Sequence, residues 1–141
     1  MPYLTAEQIA QRVPHQGRMC LLDAVMAYDA VHLSARAALQ LDSHPLLWQG
    51  QLCSSIVIEY AAQAMAVHGS LQHNTEQGAQ QGLLAAVREV HLYRPYLAHG
   101  LSLDIQIEQL FADTNGLLYR FQVGYVEGDL IATGRAMVVL S

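Results

Sequence analysis

From Leu101 onward the hydrophobic and polar residues alternate: Leu101, Leu103, Ile105 and Ile107 point one way, and Ser102, Asp104, Gln106 and Glu108 the other. A period of two marks a β-strand with one face in the core and one in water. Thr114, Asn115 and Gly116 make a hairpin turn. The return strand alternates again, with Tyr119, Phe121, Val123 and Tyr125 set against Leu118, Arg120, Gln122 and Gly124. Glu127-Gly128-Asp129 reverses the chain once more, and residues 130–140 form the last strand. Turns this short force neighbours to pair, so this part of the chain is predicted to be a three-stranded antiparallel meander.

A different pattern occupies residues 53–67, which are apolar on nearly every face except at Glu59 and Gln63. Those two are four apart and share one face of a helix. A helix that is apolar almost all round belongs in a core, where a carboxylate must be paired, neutralised or put to use. The residues leave two readings of Glu59 and Gln63 open: a thin solvated stripe, or a working acid with its positioning amide.

Upstream, Thr5 with Gln8 is a capping-box pattern that opens a short helix reaching Arg12 and stopped by Pro14. Residues 19–28 and 31–39 read as two strands joined at Asp29-Ala30. Residues 40–50 contain Pro45 and Gly50 and lack a sustained period, so they form a loop feeding the central helix, whose start is expected at Ser54 or Ser55. From Gly69 the helix gives way to a polar, glycine-bearing loop reaching Gly82. A strand over residues 83–93 follows and ends at Arg94-Pro95, since proline cannot donate to a ladder. The sum is an α+β layout in a single domain over residues 1–141, about six strands against one long helix. Such a sheet keeps open edges and an apolar rim, which edge-to-edge dimerisation would cover.

Composition narrows the function classes. The chain is 52% hydrophobic and 13% charged, which sets it apart from disordered sequences and suggests that a second subunit covers part of its apolar surface. The formal net charge is −5 and every basic residue is arginine, so nothing resembles the basic stripe of a nucleic-acid binder. No apolar run is long enough for a membrane span and no signal-peptide pattern opens the chain; a cytoplasmic protein is expected. Cys20 and Cys53 lack the number and spacing of a zinc motif, and no two of the seven histidines stand at the i, i+4 spacing of a helical metal site. No metal and no cofactor are expected.

In order and in local motif the chain resembles the hotdog-fold 3-hydroxyacyl-acyl-carrier-protein dehydratases. Val13-Pro14-His15-Gln16-Gly17-Arg18-Met19-Cys20-Leu21-Leu22-Asp23 looks like that family's entry segment, matching at Pro14, His15, Leu21 and Asp23. Ile58-Glu59-Tyr60-Ala61-Ala62-Gln63-Ala64 is similar to its central helix and places Glu59 on the catalytic acid, while Val90-His91-Leu92-Tyr93-Arg94-Pro95 looks like a strand end of the family. The resemblance implies a hotdog: a strongly curved antiparallel sheet wrapped around the helix. It also implies acyl thioesters on acyl carrier protein or coenzyme A as substrates.

One departure stands out. The family's catalytic histidine lies in a Gly-His-Phe-Pro-Gly loop, whereas here the segment reads Trp48-Gln49-Gly50-Gln51-Leu52-Cys53-Ser54-Ser55, with Gln51 where the histidine would fall. Glutamine cannot take a proton from the substrate's α-carbon, so the His/Glu dyad is incomplete. The shortened loop looks more like a divergent branch found beside aryl-polyene-type synthase genes, whose members act as partner subunits of a true dehydratase.

Dehydration needs a base for the α-proton, an acid for the leaving hydroxyl and donors for the thioester carbonyl. Glu59 is the candidate acid. His44, in the loop ahead of the helix, is the candidate base, with a surface histidine before Pro45 as the plainer reading. Backbone N–H groups around Ser54 to Ile56 are candidate carbonyl donors, the serines alternatively acting as helix caps. Gln63 would hold the Glu59 carboxyl, and Gln51 would line the substrate site. A hotdog thioesterase using Glu59, and a catalytically silent partner of a dehydratase, remain as alternatives; homodimer, higher oligomer and heterodimer are all open.

Overall fold

The computed structural model describes residues 2–12, 20–39, 44–72, 82–98 and 100–140. Seven strands form one antiparallel sheet in the order β1-β2-β3-β5-β6-β7-β4. They are β1 (Leu4–Thr5), β2 (Ala24–Tyr28), β3 (His32–Ala38), β4 (Gly82–Leu92), β5 (Ser102–Ala112), β6 (Gly116–Tyr125) and β7 (Leu130–Leu140). A short helix α1 (Ala6–Ala10) follows β1, and the long helix α2 (Val57–Gln72) is entered through a 3-10 turn at Ser54–Ile56. The expected α+β layout is present with one strand more than anticipated. That strand, β1, is two residues long, too short to carry any period.

The capping box forms: the Thr5 hydroxyl accepts from the Gln8 N–H, and the Gln8 amide oxygen accepts from the Thr5 N–H at 2.9 Å. The helix it opens ends at Ala10, short of Arg12, and Pro14 lies outside the described residues. The β5-β6-β7 meander runs as its alternation requires, with Leu103, Ile105, Ile107, Leu117, Tyr119, Phe121, Val123, Ala132, Ala136 and Val138 turned inward. Leu101 breaks the expected pattern at 46% exposure, because β5 begins one residue later and pairing, not alternation, decides which side a residue takes.

Helix α2 lies against the concave face. Val57, Tyr60, Ala61, Gln63, Ala64, Met65, Val67 and His68 are buried against the inward rows of β3, β5 and β6. It continues past Gly69 to Gln72, so the expected end at Gly69 is corrected. A glycine inside a helix costs only about 1 kcal/mol, and packing on both sides outweighs that. The expected loop over residues 73–81 lies outside the described residues. Among the described residues β1 and β4, at the sheet's two ends, keep an unpaired edge, and β4 is the long one, with eleven residues.

Candidate functional site

The Glu59 carboxylate is set in the first turn of α2, where the helix dipole favours negative charge. One turn on, the fully buried Gln63 carboxamide joins two parts of the chain. Its Oε1 accepts the Leu21 N–H at 2.8 Å, and its Nε2 donates to Glu59 Oε1 at 3.4 Å. The Leu21 bond fixes which end of the amide faces Glu59, since only the nitrogen end is left to donate. The half-buried Glu59 is thus held from a segment about forty residues earlier. A uniformly solvated stripe does not describe this pair, because its second member is out of water.

His44 is also buried, contrary to the surface reading. Its Nδ1 accepts from the Leu46 N–H at 3.0 Å, so in the neutral ring Nε2 carries the proton and faces Tyr60 Oη at 2.8 Å. Tyr60 follows Glu59 directly and points about 100° further around the helix. Among the described residues the ring's hydrogen-bond partners are therefore Tyr60 and Leu46. Burial, with the Asp23 carboxylate nearby, pushes the Tyr60 phenol well above its ordinary range and keeps its proton on.

The loop equated with the catalytic histidine segment is a closed reverse turn. Trp48 and Gln51 exchange backbone hydrogen bonds at 2.9 and 3.0 Å, with Gln49 and Gly50 both left-handed at φ 49° and 77°. Positive φ at both central positions is the type I′ geometry, which Gly50 accommodates without strain. Gln51 and Trp48 are exposed at the tip.

At the helix start, Cys53 is the N-cap and no side chain caps it, so the serine-cap alternative is corrected. The Ser54 N–H donates to the Pro95 carbonyl at 2.9 Å and the Ile56 N–H to the Cys53 carbonyl at 3.1 Å. Both are spent locally because the segment zips onto the strand-like stretch around Tyr96. Ser55 lies between them in that turn, exposed to solvent. A groove of about 360 Å³ runs over this point, between Cys53, Ser54 and Ser55 on one side and Leu92, Tyr93, Arg94 and Pro95 on the other. Glu59, Gln63 and His44 do not line it.

A second buried histidine escaped the sequence reading. His68 Nδ1 accepts from Tyr119 Oη at 2.9 Å and Nε2 donates to the Asp29 carbonyl at 3.2 Å. Desolvation lowers its pKa, keeping the ring neutral. The one available signal was spacing, since Tyr60, Ala64 and His68 fall four apart on a single helix face. No group of three metal-ligating side chains occurs among the described residues, and no helix is long and apolar enough to cross a membrane.

Residues 7–141 match the family model ApeP-like, described as ApeP dehydratase. Among solved structures, the dehydratase heterocomplex ApeI:P from Xenorhabdus doucetiae superposes with a TM-score of 0.84 at 26% identity, over 99% of this chain and 92% of that one. The thioesterase PA1618 (Q49A variant) from Pseudomonas aeruginosa follows the same fold at a TM-score of 0.67 and 13% identity, over 98% and 94% of the two chains. The PaaI protein of E. coli does so at 0.63 and 13%, over 82% and 80%. No curated protein sequence matches the chain.

Proposed function

Because this chain belongs to the ApeP-like dehydratase family, we propose that it supplies the acid half of a 3-hydroxyacyl-thioester dehydratase whose base comes from a second subunit. The observation that carries this is the asymmetry of the site. Glu59 is positioned by Gln63, while the histidine position holds Gln51 on a closed turn and His44 is engaged by Tyr60 and Leu46. The heterocomplex described for the similar X. doucetiae protein supports a partner of the dehydratase type. The free edge of β4 is the surface through which such a partner would extend the sheet.

In the assembled site, the partner's base removes a proton from the α-carbon. Glu59, as the acid, delivers a proton to the hydroxyl on the β-carbon, which leaves as water, and the electron pair of the broken C–H bond becomes the new double bond. The Ser55 N–H, beside the positive end of α2, would receive the negative charge that builds on the thioester carbonyl. The base then returns its proton to Glu59 through solvent, and an enoyl thioester is released. The acyl group rides on acyl carrier protein or coenzyme A.

The test is turnover of a 3-hydroxyacyl thioester by the chain alone, by the dehydratase subunit alone and by both. The pair should be active and the present chain alone inactive. Glu59→Gln keeps the volume and removes the proton, so it should lower the pair's kcat ~10²- to 10⁴-fold. An unchanged rate with Glu59→Gln would reduce the chain to a silent scaffold. Release of free thiol in place of an enoyl product would support the second reading, a thioesterase, which the thioesterase neighbours of the fold keep in view.

A further inference from the structure

Four polar side chains are buried among the described residues: His44, Ser54, Gln63 and His68. His44 meets Tyr60, Gln63 meets Leu21 and Glu59, and His68 meets Tyr119 and Asp29. Ser54 is the exception. It is 2% exposed, its N–H and carbonyl are taken by Pro95 and Val57, and its hydroxyl has no partner among the described residues. A buried hydroxyl left unpaired is costly, and folding gains nothing from it, since alanine would fill the same turn. Ser54 does line the groove of about 360 Å³ at the start of α2, so its hydroxyl is left for whatever enters there.

Beside it on the same wall is Cys53, half-buried, with a free thiol that makes no capping bond. Opposite, Leu92, Tyr93 and Pro95 are uncharged, and Arg94 is ion-paired with Asp129. No carboxylate lines the groove. Its working groups are therefore a nucleophile and a neutral hydrogen-bond donor, side by side, with no free charge to attract an anion. That combination suits a small uncharged ligand that is electrophilic close to a carbonyl, and the volume is at the lower end of those that hold small molecules.

We propose that Cys53 is a covalent capture site for α,β-unsaturated acyl thioesters, the product class of the dehydration, with the Ser54 hydroxyl donating to the thioester oxygen. The inference rests on the proposed dehydratase function, under which the thioester carbonyl meets the Ser55 N–H. Cys53 and Ser55 are two residues apart, so their Cα atoms lie within about 7 Å of each other. The β-carbon of the product is two bonds from its carbonyl carbon, within reach of the thiol. The Cys53 sulfur bonds to that β-carbon, the π pair of the carbon–carbon double bond moves toward the α-carbon and the carbonyl oxygen, and the proton that leaves the thiol ends on the α-carbon. A thioether results with the acyl thioester intact, and nothing is oxidised or reduced. The negative charge that builds on the oxygen during the step is what the Ser54 hydroxyl and the positive end of α2 stabilise. Loss of the same α-proton reverses the step, so occupancy of Cys53 follows the level of the enzyme's own product.

The experiment incubates the chain, assembled with its dehydratase subunit, with but-2-enoyl N-acetylcysteamine and reads the intact mass of each subunit after an acid quench. This chain should gain the mass of one whole enoyl thioester, mapped to Cys53 by peptide mass spectrometry, at a rate that saturates with thioester concentration. The saturated butanoyl analogue should give no adduct. Cys53→Ser should abolish the adduct and Cys20→Ser preserve it, since burial pushes the Cys20 thiol up and away from its reactive form. Ser54→Ala separates the proposal from a structural role: capture should slow about two- to tenfold, the loss of one hydrogen bond, while the melting temperature holds or rises. No adduct at Cys53, or a rate that climbs linearly with concentration as at any exposed thiol, would overturn the proposal. So would a gain of the acyl group alone with release of N-acetylcysteamine, which is acyl transfer to the thiol, and so would a lowered melting temperature with unchanged capture in Ser54→Ala. Capture of the supplied enoyl thioester by an assembly that dehydrates no 3-hydroxyacyl thioester would sink the proposed activity and leave the capture site standing.

Discussion

Replacing Gln63 by leucine tests whether the amide is what makes Glu59 usable. The substitution nearly conserves volume at a fully buried site, so cavity effects are small and the hydrogen bonds decide the outcome. The 2.8 Å bond from the Leu21 N–H is lost and that donor is left unsatisfied in the interior, at a cost of about 1–3 kcal/mol. The Glu59 bond is longer, 3.4 Å, and contributes a few tenths at most, while leucine's better burial offsets part of the total. A net loss of about 1–2 kcal/mol follows, which for a domain of this size is a fall in Tm of roughly 3–8 °C. Differential scanning calorimetry reads that number. In the assembled enzyme, kcat should fall more than KM rises, because the carboxyl is displaced while the substrate contacts remain. A Tm within one degree of the parent together with an unaltered kcat would refute the reasoning, showing that Leu21 finds another acceptor and that Glu59 is held some other way.

Gly134 sits under the Phe121 ring, where an added Cβ would lie 2.7 Å from Phe121 Cζ and 3.2 Å from Val90 Cγ2, so Gly134→Ala should cost about 1–3 kcal/mol in denaturant titration. His68 has its folded pKa lowered by desolvation below the ordinary 6.5, so the unfolded chain binds the extra proton first. Its stabilising contribution is therefore complete above about pH 6.5 and lost as pH falls below it. Replacing His68 by phenylalanine should flatten the stability profile between pH 7 and 5, and an undiminished acid slope would count against that assignment.

The strands of the meander were legible because each buries one face, and a period of two survives any change of neighbour. Helix α2 was legible for the opposite reason: a helix buried almost all round has hardly any polar face to hide. Its C-terminal end was not, since Gly69 looks like a stop from local propensity and only packing carries the chain on to Gln72. The β4 edge strand was placed within a residue of its ends, but its exposed edge follows from the sheet order, with β7 as its sole neighbour among the described residues, and no local pattern encodes that.

The site was legible as residue types and illegible as partnerships. Glu59 and Gln63 announce themselves by their spacing on an apolar helix, yet the group that orients Gln63 is the backbone of Leu21, which has no side-chain signature. His44 carried the chemistry of a base in the sequence; the Leu46 N–H and the Tyr60 hydroxyl, two and sixteen residues away, decide that its accessible nitrogen is already occupied. Under the proposed function Gln51 is informative, because it stands where the resemblance puts the base while Glu59 keeps the buried amide of Gln63 beside it. Gln63 has a structural reason to stand here, since it satisfies the buried Leu21 N–H, but that bond requires no carboxylate on the amide's other end, so it is Glu59 that folding alone leaves unexplained. A carboxyl tied to a buried amide, beside a closed turn that holds glutamine, is the arrangement the proposed division of labour requires, with the base furnished from outside the chain.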